Sequence, residues 1–116
     1  MSSEFSDFLI EQMAGFGNVS ARRMFGAAGL YRDGVMFALV ADDVLYFRVD
    51  EATRGDFDAE GLDSFSYRTK SGRAAVMAYM RAPERCLEDI DEMAAWCRKA
   101  YEAALRVKRP AGKRTG

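Results

Sequence analysis

Two adjacent guanidinium side chains, Arg22 and Arg23, stand directly ahead of Met24-Phe25-Gly26 and the small residues Ala27-Ala28-Gly29. Planar guanidinium forks bind carboxylates and phosphates bidentately. Arg22, Arg23, Met24, Phe25 and Gly26 are therefore the candidate partner-binding segment. The same arginines also suit structural ion pairs with Asp42, Asp43 or Asp50, a common fate for surface charges. The run from Gly26 to Gly29 lacks the context of a phosphate cradle: such a loop opens a helix N-terminus, whereas this one leads into a hairpin.

A catalytic reading finds little to build on. The chain holds no histidine, which removes the commonest metal ligand and the commonest general base. Its two cysteines, Cys86 and Cys97, lack paired-ligand spacing. On one continuous helix they would lie about 16 Å apart, too far for a disulfide, so both are expected as reduced packing residues. Lys70, the scattered carboxylates and the adjacent pair Asp42-Asp43 complete the candidates, and that pair already serves as a tight turn. No enzyme activity, metal or cofactor is expected.

A second constellation is strand-borne. Tyr46, Phe47, Tyr67 and Tyr79 are interleaved with Arg48, Arg68 and Lys70, a combination able to stack single-stranded bases and hold phosphates. Core packing is the competing use of the same rings, because strand propensity alone favours them. Residues 106–116 add five basic side chains (Arg106, Lys108, Arg109, Lys113, Arg114) and no acidic one, which leaves the rest of the chain with 12 basic against 18 acidic residues. Weak nucleic-acid binding through Arg48, Arg68, Lys70, Lys108, Arg109, Lys113 and Arg114 is thus the alternative to a protein partner.

These residues need a scaffold, and 116 residues with 49% hydrophobic and 30% charged side chains suffice for one core without disulfides. One domain is expected over residues 1–107, followed by a basic tail over 108–116. The N-terminus lacks a basic leader region and no apolar run reaches the roughly 18 residues of a membrane span, so the expected location is cytoplasmic. Phe5, Phe8, Leu9, Gln12, Met13 and Phe16 recur at helical spacing, predicting a helix over about 4–15. Val19 to Met24 reads as an extended edge segment, and Gly26 and Gly29 as the turn into the sheet.

Asp33-Gly34 between Leu30-Tyr31-Arg32 and Val35–Ala41 is a strong type I′ hairpin signal. A second turn at Asp42-Asp43 leads to Val44–Val49, completing a three-stranded meander. A short helix near Asp50–Phe57, a second hairpin over 65–69 and 73–80, and an amphipathic helix over about 90–107 follow. The order α-β-β-β-α-β-β-α defines an α+β domain with helices on an antiparallel sheet. Val35 to Ala41 is apolar at every position, so Val35, Phe37 and Leu39 should face one way and Met36, Ala38 and Val40 the other. Either the helices divide between the two faces, or a second chain covers one of them, as in a homodimer or a complex.

The combination Arg22-Arg23-Met24-Phe25-Gly26, Gly29-Leu30-Tyr31, Asp33-Gly34-Val35-Met36-Phe37-Ala38 and Ala41-Asp42-Asp43-Val44-Leu45-Tyr46 resembles the TfoX (Sxy) N-terminal-domain family. Further matches at Val49-Asp50, Thr53-Arg54, Phe57, Phe65, Tyr67, Lys70, Gly72, Met77, Tyr79, Ala82-Pro83-Glu84 and Trp96 extend the similarity over nearly the whole chain. The resemblance implies an α+β fold of the kind seen in secretion-chaperone-like domains. In two-domain members this domain belongs to positive regulators of natural-competence genes that work with the cyclic-AMP receptor protein at promoters. It implies a non-enzymatic protein-interaction module, regulatory in character, with a partner in the transcription machinery. The chain reads as a stand-alone, single-domain member.

Overall fold

A computed structural model describes residues 3–24 and 26–108. Helix α1 spans Ser3–Gln12 and is followed by strands β1 (Ser20–Met24), β2 (Ala27–Arg32), β3 (Val35–Ala41) and β4 (Val44–Arg48). The short helix α2 (Arg54–Asp58), strands β5 (Ser64–Thr69) and β6 (Gly72–Arg81), a 3-10 turn at Glu84–Leu87 and helix α3 (Ile90–Lys108) complete the order. All six strands join one antiparallel sheet in the order β1-β2-β3-β4-β6-β5. The expected α+β architecture is present, with one strand more than the meander and hairpin predicted: the edge segment pairs with β2 from Ser20↔Tyr31 to Met24↔Ala27. Helix α1 stops at Gln12, and residues 13–16 continue as turns rather than as helix.

The turns explain how the meander closes so tightly. Asp33 and Gly34 have φ of 52° and 77°, the pair of left-handed residues that a type I′ turn needs. Asp42 and Asp43, at 52° and 60°, make the equivalent turn without glycine, and aspartate is among the few side chains that tolerate this region. Gly29, expected at a turn, instead lies within β2 opposite Arg22 and Leu39, without a positive φ. Its missing Cβ has a packing use: a methyl there would sit 3.0 Å from both Met36 Sδ and Tyr31 Cε1.

The helices do not divide between the two faces. Leu9 of α1 and Met13 just after it, Phe57 of α2, and Met93, Trp96, Cys97 and Ala100 of α3 all enter a single cluster with Leu30, Phe37, Ala38, Val40, Leu45, Phe47 and Met80 of the sheet. Aromatic contacts seal this layer, with Phe57 against Phe47 and Trp96 at 6.4 and 4.9 Å and Phe16 against Phe37 at 5.2 Å. The predicted alternation along β3 is also corrected. A bulge pairs Leu30 with Ala38 but Tyr31 with Met36, leaving Phe37 as the extra residue. Val35 and Phe37 before it, and Ala38 and Val40 after it, therefore face the helices together, while Met36 and Leu39 face away.

Strand β6 is interrupted in the same manner, because Ser64 pairs with Met80 whereas Phe65 pairs with Val76. That slip turns Phe65 and Tyr67 onto the side away from the helices, where Phe65 meets Tyr46. No helix among the described residues is long and apolar enough to cross a membrane.

Candidate functional site

The sheet face opposite the helices gathers a distinctive set of side chains. The six strands contain seven arginines and not one aspartate, glutamate or lysine. Ladder pairing sorts these arginines by face. Arg22 lies beside Gly29, Arg48 opposite Tyr79 and Arg81 opposite Tyr46, all on the face away from the helices. The guanidinium of Arg22 sits 5.2 Å from the ring centre of Tyr31, and that of Arg48 sits 5.4 Å from the ring centre of Tyr79. Both are within cation–π range.

Beside them runs a row of rings. Tyr46 meets Phe65 edge-on at 5.0 Å, and Phe65 stacks on Tyr67 at 6.2 Å with 25° between the planes. Tyr46 and Phe65 belong to strands separated by β6, so their rings meet across it. Tyr67, on the edge strand, is 49% exposed. Leu39 and Tyr79 are buried beneath the layer yet stand outside the helix-side core cluster.

The ion pairs of the fold lie away from the open face. Toward the helices, Arg85 donates to both Glu60 carboxylate oxygens at 2.8 Å and to Glu92 at 3.0 Å. Lys99 pairs with Asp56 at 3.0 Å, and Arg106 donates to both oxygens of Asp50. Arg32 lies between Phe16 and Tyr101, with its charge 4.6 and 4.9 Å from the ring centres. On the open face Arg22, Arg48 and Arg81 make no ion pair among the described residues, and Arg48 Nε is buried without any hydrogen-bond partner. Burial pushes the Tyr79 phenol above its ordinary range, while neighbouring Arg48 acts in the opposite direction.

The two arginines of the segment singled out from sequence stand on opposite faces of the sheet. Alternation along β1 places Arg22 on the open face and Arg23, opposite Ala28, on the helix side. Arg23 lines a groove of about 720 Å³ with Ser6, Asp7, Ala28, Asp42 and Asp43. Gly26 forms the turn with φ of 79°, Met24 ends β1, and Phe25 lies outside the described residues. Neither arginine of the pair forms an ion pair with Asp42, Asp43 or Asp50 among the contacts the structure shows; Asp50 belongs to Arg106 and Thr53.

Of the alternative basic set, only Arg48 joins the aromatic face. Arg68 stands opposite Arg73 on the reverse side of the β5–β6 hairpin, where Arg73 donates to Ser66 at 2.9 Å. Lys70 is at the exposed hairpin tip, and Lys108 ends α3. Arg109, Lys113 and Arg114 lie outside the described residues. Arg22, Arg81, Tyr31 and Phe65 belong to the face although sequence reasoning did not assign them to it. Strand alternation alone would have brought in Tyr31, but the slip in β6 hides Phe65. Both cysteine thiols are buried; burial raises Cys86 to about 12 and Cys97 further still, so neither is a ready thiolate.

A six-stranded antiparallel sheet with every described helix on one side and a ring-and-arginine face on the other makes this an α+β domain. The sequence matches the TfoX N-terminal domain over residues 11–104, and the chain belongs to that family. A search of the curated proteins found no match.

Proposed function

We propose that this chain is a non-catalytic interaction module, regulatory as the family suggests, that takes an anionic macromolecular partner on the open face of its sheet. The observation carrying this reading is that Arg22, Arg48 and Arg81 stand on one ring-bearing face whose strands hold no carboxylate, with Arg48 Nε buried and lacking an acceptor among the described residues. A desolvated guanidinium donor costs stability unless something supplies its acceptor, and an anionic partner supplies it. The face also argues against a homodimer formed through it. A two-fold contact would bring two copies of this arginine-bearing face together with no acidic residue from any strand to offset the charge.

The test is an amide-resolved NMR titration of the full chain with a polyanion. Shifts concentrated on β2, β4, β5 and β6 support the proposal; shifts confined to the basic residues after α3 overturn it.

A further inference from the structure

Resting on that reading, we infer that the anionic partner is single-stranded nucleic acid, with bases stacked on the Tyr46, Phe65 and Tyr67 row and phosphates held by Arg22, Arg48 and Arg81. An acidic protein surface would be served by cations alone. The face provides rings as well: Phe65 and Tyr67 are nearly parallel, 6.2 Å apart, and Tyr67 at the sheet edge is half-exposed. Base stacking on such rings is tolerant of sequence, because every base has a π face.

The choice of cation points the same way. Every basic residue on the strands is arginine, whose planar fork binds phosphate bidentately and stacks on aromatic rings, unlike the point charge of lysine. The arginines flank the rings rather than alternating with carboxylates, so no strand-borne negative charge opposes a phosphate backbone. A duplex keeps its base faces stacked inside and presents none to these rings, so the geometry selects single strands. The acidic excess of the chain lies in the helices and loops, and its repulsion of polyanions favours approach from the sheet side.

Fluorescence anisotropy on the full chain tests this with labelled single-stranded oligothymidylate and oligouridylate of about 12 nucleotides, a length within the usual range for such platforms. A duplex of equal length and polyglutamate serve as competitors. Single strands should bind and the duplex should bind more weakly. Neutralising three phosphates gives a log–log salt slope of about −2, or roughly twentyfold weaker binding between about 50 and 200 mM salt.

Tyr67→Ala should weaken binding at least about fivefold through loss of one stacking contact. Arg22→Gln combined with Arg81→Gln should flatten the salt slope by about 1.4. Both sets change exposed side chains, and far-UV circular dichroism checks that the variants are folded. Unchanged affinity in both sets, or duplex binding as tight as single-strand binding, overturns the inference. Binding of labelled polyglutamate, titrated directly, without binding of either oligonucleotide overturns it while preserving the anionic-partner reading. Absence of binding to all the polyanions overturns both.

Discussion

Arg48→Met should make the protein more stable while impairing the open face. The arginine Nε is buried and has no hydrogen-bond acceptor among the described residues, a desolvation penalty of about 1–3 kcal/mol. Against this stands the cation–π contact with Tyr79 at 5.4 Å, worth about 0.5–2 kcal/mol depending on exposure. Methionine retains most of the aliphatic stem and offers sulfur to the same ring, recovering about 0.3–1.5 kcal/mol.

The balance favours the variant by about 1 kcal/mol, which corresponds to a rise in Tm of about 4 °C in a domain of this size. Urea unfolding followed by tryptophan fluorescence measures it directly, because Trp96 packs in the core against Phe57. Removing Arg48 also removes the influence that opposes burial at Tyr79, so the phenol should titrate at still higher pH, read by its absorbance on ionisation. A loss of more than about 1 kcal/mol in Arg48→Met would refute the reasoning. It would mean that the guanidinium holds the sheet together and is not held in readiness for a partner. A gain in stability with a loss of binding is the signature of a functional residue.

Two further outcomes test the helix side. The hydrogen bond from Arg106 is the leading cause that holds the Asp50 carboxyl below its ordinary value, opposed by burial and aided by Thr53. A depressed folded-state value contributes stability that is present above the unfolded pKa and disappears as pH falls through the folded one, so Asp50→Asn should flatten the acid limb of a Tm-against-pH curve below about pH 4. Phe57 is the buried side chain by which the five-residue helix α2 is fastened to Phe47 and Trp96. Phe57→Ala should cost about 3–5 kcal/mol, measured by urea unfolding, and a cost under about 1 kcal/mol would contradict its assigned place in the core.

Local chemistry made most of the framework legible. Asp33-Gly34 announces a hairpin because few dipeptides accept two positive φ values in succession, and the periodicity from Ile90 onward leads straight to the 19-residue α3. What escaped was whatever depends on register. One bulge opposite Leu30/Tyr31 sets Phe37 and Ala38 on the same side, and a slip in β6 turns Phe65 toward Tyr46. Since side chains alternate with period two, a single inserted residue reassigns everything beyond it to the opposite face. The composition of the open face was therefore unreadable until pairing was known. The pair Arg22-Arg23 shows the converse: the adjacency that made them conspicuous in sequence sets neighbouring side chains on a strand on opposite faces of the sheet.

An all-apolar central strand ordinarily calls for cover on both faces, yet here every helix is spent on one. The open side meets that demand with its own side chains. Met36 and Tyr31 close over Gly29, Arg48 lies over the Tyr79 ring, and Leu39, between Gly29 and Tyr46 in the ladder, is buried. Long amphipathic side chains can shield apolar backbone strands while presenting charge and ring faces outward, and lysine or carboxylate at the same positions would meet only part of this requirement. The same residues thus answer a folding problem and create a recognition surface. That coupling predicts that changes which make the face more apolar will favour the fold and weaken its binding, as argued for Arg48.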